Sequence, residues 1–177
     1  MKLFKTKILL RISAVLLTIL PAINFLSCTG GYSFTGADIS ADIKTVQIDF
    51  FPNQATMVQP NLSSVFTETL KDKFSAQTNL ELVNYDGDIA FEGAITNYNV
   101  TAQSFQGNET AALNRLSITV KVKYTNTSEP AKSFETTFTR YADFDSKQSL
   151  SSVEGELIQQ ISDDLVTDIF NKAVANW

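Results

Sequence analysis

Histidine is missing from the 177-residue chain, and Cys28 is its only cysteine. Without imidazole, the sequence excludes Ser-His-Asp triads, histidine-ligated metals and the usual imidazole acid–base catalysis. A single cysteine also excludes an intramolecular disulfide. No glycine-rich phosphate loop is present either. These absences argue against most common enzyme classes, and neither a metal nor a cofactor is expected.

The first residues of the chain have the pattern of an export signal. Four basic residues precede an apolar run over residues 12–23: Lys2, Lys5, Lys7 and Arg11. An uncleaved membrane anchor is the alternative, but the run is shorter than the roughly 18 to 20 apolar residues of a spanning helix. The run leads to Phe25-Leu26-Ser27-Cys28, which resembles the lipobox of bacterial lipoproteins, whose cysteine is acylated. We therefore predict a signal peptide over residues 1–27 and a lipid on Cys28.

The mature part of the chain is strongly acidic. The whole chain has 14 basic and 19 acidic residues, and the predicted signal peptide removes only basic ones. Nucleic-acid binding needs a clustered basic face that neutralises phosphates. Because the sequence contains no Lys/Arg run, nucleic acid is not an expected partner.

Apolar spacing predicts a strand and then a helix in the first half of the mature chain. Val46, Ile48 and Phe50 alternate with polar residues, as in a half-buried strand. After Pro60-Asn61, apolar residues recur at three- and four-residue steps, which predicts a helix of about four turns. Its apolar residues are Leu62, Val65, Phe66, Leu70 and Phe74. A short strand over residues 80–83 follows.

Three longer strands are predicted next. In the first, the apolar phase changes after Ile95, and because strand side chains alternate with period two, we expect a bulge or bend near Asn97. The third strand places Phe134 and Phe138 on one side. The second strand has the cleanest alternation, with one apolar face made of Leu116, Ile118, Val120, Val122 and Tyr124.

A long helix is predicted at the end of the chain. Ser151 and Glu154 have the spacing of a capping box, and an apolar stripe continues from Val153 toward Trp177. The predicted fold is α+β, with two helices packed on one face of a mostly antiparallel sheet, in the order β-α-β-β-β-α.

Four basic residues are candidates for binding phosphates: Arg115, Lys121, Lys123 and Arg140. They lie on two predicted neighbouring strands of an otherwise acidic domain, and cations that converge there would pair with phosphate groups. The alternative is that they are ordinary solvated strand residues, since exposed lysine also protects strands from edge pairing.

Carboxylates and aromatics at loops are further candidates. Two aspartate pairs, Asp86 with Asp88 and Asp143 with Asp145, have the chemistry of a cation site or a glycosidase. Aspartate is also favoured in turns for its backbone hydrogen bonds, which is the alternative. Several aromatics fall at strand ends or loops, where a larger partner would bury them: Phe50, Phe51, Phe105, Tyr141 and Phe144.

Several stretches together resemble the LptE family in its Bacteroidetes branch. They are Gly31 to Gly36, Thr45 to Ile48 leading to Phe51-Pro52-Asn53, Phe66-Thr67-Glu68 with Leu70, Asn114-Arg115-Leu116, Arg140 to Asp143, and Asp168 to Trp177. This resemblance implies a non-enzymatic lipopolysaccharide-assembly lipoprotein that plugs the LptD β-barrel of the outer membrane and assists its folding. It makes lipopolysaccharide the expected source of the phosphates.

The resemblance also implies a domain organisation and a location. Residues 1–27 are the expected signal peptide, 28–43 a lipidated leader, and 44–177 a single LptE-like domain. Thr29 after the cysteine favours the periplasmic face of the outer membrane. Two other functions are possible from the sequence: an accessory lipoprotein of another outer-membrane complex, such as a secretin pilot or barrel-assembly partner, and a carboxylate-dependent hydrolase.

Overall fold

The computed structural model describes residues 39–40, 42–57, 59–103 and 112–174. Cys28, Phe105 and the predicted end of the last helix beyond Val174 lie outside the described residues. Five strands form one sheet in the spatial order β2-β1-β3-β4-β5. They are β1 (Thr45–Ile48), β2 (Glu81–Val83), β3 (Ile89–Gln103), β4 (Leu113–Asn126) and β5 (Phe134–Asp145), and the helices are α1 (Leu62–Gln77) and α2 (Leu150–Val174).

The sheet is mixed but mostly antiparallel. Long strands β3, β4 and β5 form an antiparallel meander, whereas β1 pairs in parallel with both of its neighbours. The parallel pairing of β1 with β2 follows from α1, which links the two strands and returns the chain to the end of the sheet where β1 begins. The α+β class is confirmed, and the elements other than the three-residue β2 follow the order β-α-β-β-β-α, with β2 between α1 and β3.

Both helices cover the same face of the sheet, as predicted. The Phe74 ring of α1 lies 4.9 Å from the Phe91 ring of β3 and 5.1 Å from the Phe170 ring of α2. The apolar stripe of α2 is buried from Leu157 to Val174. No helix in the described part of the chain combines the length and apolar character that a membrane span requires.

The predicted bulge is confirmed in β3, where the register with β4 shifts between Ile95 and Asn97. Ile95 and Tyr98 are both buried, although three positions separate them, and Thr96 and Asn97 are exposed. The extra residue restores the inward direction of the apolar side chains along the rest of β3.

The predicted alternation through Phe50 is wrong. Strand β1 ends at Ile48, and the Phe50 side chain is 60% exposed, whereas Phe51 is fully buried. A Cβ at Gly93 would lie 2.6 Å from the Phe51 ring and 2.1 Å from the Lys121 carbonyl oxygen. Phe51 can therefore pack against the sheet only because position 93 has no side chain.

The predicted capping box is also wrong. Helix α2 begins at Leu150, so Ser151 lies inside its first turn. The Glu154 carboxylate accepts a 2.5 Å hydrogen bond from the Tyr98 hydroxyl of β3 instead of capping the helix. Burial, together with this carboxylate, raises the pKa of Tyr98. Glu154 thus connects the start of α2 to the sheet.

Candidate functional site

The face of the sheet opposite the helices has no described helix packed against it, and we call it the open face. Residues directly opposite each other on paired strands share a face, so register and burial together define its members. They are Glu92, Ala94, Asn97, Asn99 and Thr101 of β3, Arg115, Ser117, Thr119, Lys121 and Lys123 of β4, and Glu135, Thr137, Thr139, Tyr141 and Asp143 of β5.

Neutral polar side chains occupy the centre of the open face. Asn97, Thr119 and Thr139 form one row across the three strands, and the two threonine hydroxyls lie 2.9 Å apart in a hydrogen bond. The next row contains Asn99, Ser117 and Tyr141. This centre offers hydroxyl and amide groups that both donate and accept hydrogen bonds.

One end of the open face is an Arg–Asp–Tyr cluster. Arg115 binds Asp143 with two hydrogen bonds, 2.7 Å from Nε and 2.8 Å from Nη2. Its guanidinium carbon lies 3.6 Å from the centre of the Tyr141 ring. The paired guanidinium holds the pKa of the Asp143 carboxyl below its ordinary value. Tyr141 is nevertheless 51% exposed, so its ring is available to a partner.

The other end of the open face contains two lysine–glutamate pairs. Lys123 lies 3.1 Å from Glu92, and Lys121 contacts Glu135, whose pKa its ammonium group lowers. Both lysines are about half exposed. They line a shallow cavity of about 280 Å³ together with both glutamates, Gln54, Gly93, Ala94 and Thr96.

The expectation that four cations converge is wrong for Arg140. Its position in β5 is opposite the buried Ile118, so it lies on the helix side of the sheet. There it binds Asp168 of α2 with hydrogen bonds of 2.6 and 2.7 Å. Arg115, Lys121 and Lys123 do share the open face, and their binding to phosphates stays a prediction.

The four aspartates of the two candidate pairs stabilise turns or form an ion pair. Asp88 accepts hydrogen bonds from the Lys44 and Thr45 amides and from the Thr45 hydroxyl, at 2.8 to 3.0 Å, and these bonds lower its pKa. Asp86 lies in the left-handed region of the turn, with φ of 54°. Asp145 accepts a bond from the Lys147 amide. Among the described residues, no three acidic or cysteine side chains are placed to hold a metal ion.

The loop aromatics divide into two groups. Phe51 and Phe144 belong to the core, whereas Phe50 and Tyr141 are exposed. Tyr85 was not among the sequence candidates, yet it is 82% exposed. Its position in the turn between β2 and β3 is the signal that could have identified it. Tyr141 is the aromatic that the strand register places on the open face.

Comparisons with known proteins give a family and a fold. The model of the LptE family, described as lipopolysaccharide-assembly, matches residues 43–173. No curated protein matches the chain at a significant level. A minor lipoprotein from Acinetobacter baumannii has a similar structure, with a TM-score of 0.51 and 17% identity, over 76% of this chain and 95% of that one.

A second solved structure shares the fold at lower identity. It is a neuraminyllactose-binding hemagglutinin homolog from Helicobacter pylori, with a TM-score of 0.51 and 7% identity, over 81% of this chain and 90% of that one. At such identities the structural likeness shows the fold alone. The family match covers more than half of the chain, from β1 through almost all of α2, and the chain therefore belongs to the LptE lipopolysaccharide-assembly family.

Proposed function

We propose that this LptE-family protein is a non-enzymatic lipoprotein that docks in an LptD-like outer-membrane barrel. In this proposal, residues 1–27 are a signal peptide, Cys28 carries the lipid, 28–43 form a leader, and 44–177 form the docking domain. The lipid holds the protein on the periplasmic face of the outer membrane. There it plugs the barrel, assists its folding and helps lipopolysaccharide reach the membrane.

The composition of the open face is the observation that supports docking in a barrel. Its cations are balanced by the carboxylates of Asp143, Glu135 and Glu92, and its centre is made of hydroxyl and amide groups. The interior of an outer-membrane barrel is polar. A face that forms hydrogen bonds without a net charge suits such a wall, because no uncompensated charge is desolvated on docking.

Lipopolysaccharide phosphates are the proposed ligands of the cavity beside Lys121 and Lys123. Exposed lysine–carboxylate pairs contribute only about 0 to 1 kcal/mol to stability. A ligand therefore displaces the Glu135 or Glu92 carboxylate from its lysine at little cost. A phosphate in their place accepts stronger, charge-assisted hydrogen bonds from the ammonium groups. Arg115 lies at the far end of the open face and would keep its bond to Asp143.

Replacing Lys121 and Lys123 together by glutamate should weaken lipopolysaccharide binding about tenfold or more, since it reverses two charges at the phosphate site. Added salt should weaken binding by the unmodified protein and have less effect on the variant. Equilibrium binding of purified lipopolysaccharide at two salt concentrations measures both effects.

The matched control is Lys71→Glu with Lys132→Glu, which changes the net charge equally. Both lysines are partly exposed and ion-paired to a glutamate three residues away, and neither belongs to the open face. This control should bind lipopolysaccharide almost as well as the unmodified protein. Equal affinities of the two double variants would remove Lys121 and Lys123 from the site.

Docking through the open face is tested by Thr139→Glu. The exposed Thr139 lies in the central row, where a new carboxylate would be buried against the barrel without a partner. Recovery of the barrel with the variant should fall about tenfold or more, because an unpaired buried charge costs more than 1.4 kcal/mol.

Gln160→Glu is the control for this experiment, since it adds the same charge on the exposed side of α2. Unfolding in urea shows whether both variants stay folded. If Thr139→Glu and Gln160→Glu retain the barrel equally well, the open face is not the docking surface.

A further inference from the structure

Strand β5 is the edge of the sheet and is 12 residues long. It pairs with β4 along its whole length, and the described residues provide no strand on its other side. In an antiparallel pair, every second residue directs its N–H and C=O groups away from the neighbouring strand. Along β5 these groups form a row without strand partners.

Three common protective features of edge strands are missing from β5. Natural edges carry lysine, proline or a bulge that prevents another strand from pairing. Phe134–Asp145 contains no lysine or proline, and its register with β4 is continuous.

The charged side chains of β5 are all held by other parts of the domain. Glu135 contacts Lys121, Arg140 binds Asp168, and Asp143 binds Arg115. Asp145 accepts a hydrogen bond from the Lys147 amide. Each charge is thus drawn toward β4, α2 or the following turn rather than across the edge, while the Glu135 and Asp143 carboxylates stay partly exposed on the open face.

We propose that β5 accepts an extended strand of a different protein as a sixth strand of the sheet. Backbone hydrogen bonds supply the binding, as in other cases of strand addition. Glu135 and Asp143 lie eight positions apart on one face, so the strand that fits has Lys or Arg opposite them. The proposal rests on the proposed function only for the identity of that protein, which would be the barrel protein, through an extended segment outside its closed wall of paired strands.

A second copy of this chain fits the edge poorly. Two β5 strands can pair over nearly their full length in two antiparallel registers that keep the open faces of both copies on the same side. One register places Glu135 opposite Asp143, and the other places it opposite Asp145. Like charges directly opposite each other destabilise a strand pair. The asymmetry of charge along β5 therefore favours a foreign, basic strand.

Amide hydrogen exchange of the acylated full chain, in detergent, tests this proposal without the barrel. The probe is a ten-residue peptide of alternating valine and threonine, with lysines eight positions apart. Its control is the same peptide with every backbone amide methylated, which leaves no N–H group to donate to an edge on either side. The first peptide should slow exchange of alternate β5 amides at least tenfold, and the second should leave them fast.

Two proline variants identify which amides belong to the edge. Adjacent residues point in opposite directions, so one of Thr136→Pro and Thr137→Pro removes a bond to β4 and the other removes only an edge donor. The variant that loses only the edge donor should unfold at nearly the same urea concentration as the unmodified protein. It should bind the peptide at least fivefold more weakly.

Three results would overturn the proposal. They are protection by the peptide elsewhere than on β5, equal binding of the methylated peptide, and slow exchange of the edge amides before any peptide is added. In the last case sedimentation would tell a second copy from coverage by the chain itself. Because no barrel takes part, these results leave the proposed docking in the barrel untouched.

Discussion

Cys28→Ala is expected to abolish acylation and to leave the protein unprocessed or mislocalised. The cysteine provides the atom to which the acyl chains are attached, and each buried methylene contributes about 0.8 kcal/mol to anchoring. A multiply acylated cysteine therefore holds the domain stably, whereas the chain without it has no such anchor. Labelling with a radioactive fatty acid and fractionation of cells measure the two effects.

Ser27→Ala is the control for the lipid anchor. It keeps a small residue before the cysteine, so processing and labelling should remain normal. If Cys28→Ala incorporated the label as well as Ser27→Ala, the lipobox assignment would be wrong.

Gly93→Ala should destabilise the domain by about 3 kcal/mol or more, at the upper end of the cost of overpacking a core. The added methyl would lie 2.1 Å from the Lys121 carbonyl oxygen and 2.6 Å from the Phe51 ring. The first of these is backbone in the middle of the sheet and cannot rotate away. Urea unfolding followed by circular dichroism gives the change in free energy.

The same substitution at Gly155 should raise the free energy of unfolding instead of lowering it. Gly155 lies within α2, and an added Cβ there would meet no atom within 4 Å. Alanine stabilises a helix relative to glycine by about 1 kcal/mol. If Gly93→Ala were as stable as Gly155→Ala, the close packing of Phe51 against β3 would be incorrect.

Much of the fold could be predicted because the spacing of apolar side chains along the long elements indicates both the type of element and its buried face. The period of two in β4 fixes which of its faces is buried, and the phase change after Ile95 requires a bulge or a bend. In α1 and α2, apolar residues at three- and four-residue steps mark the buried stripes. Each of these signals depends on local spacing alone, and each agrees with the structure.

Short elements and ends were harder to predict. Strand β1 has four residues, so its alternation is too short to show whether Phe50 or Phe51 turns inward. That choice depends on Gly93, far away in the sequence. Near the start of α2, Ser149, Ser151 and Ser152 all have capping chemistry, and the Tyr98 hydroxyl decides what Glu154 binds.

The open face was only partly predictable. Lys121 and Lys123 follow from the alternation of β4. Arg140 could have been placed correctly, because it has the same parity in β5 as Phe134 and Phe138, which were predicted to share one side. The carboxylate partners of the three open-face cations could not be predicted, since cross-strand pairs depend on register rather than on local pattern.

Co-purification from outer membranes is the most direct measurement of the central claim. The acylated protein, with Cys28 intact, is extracted in mild detergent, and the barrels recovered with it are identified by mass spectrometry. We predict an LptD-like barrel in an amount equal to that of the LptE-family protein. Recovery of a secretin or a barrel-assembly complex in its place, or of the protein with no barrel at all, would contradict the account.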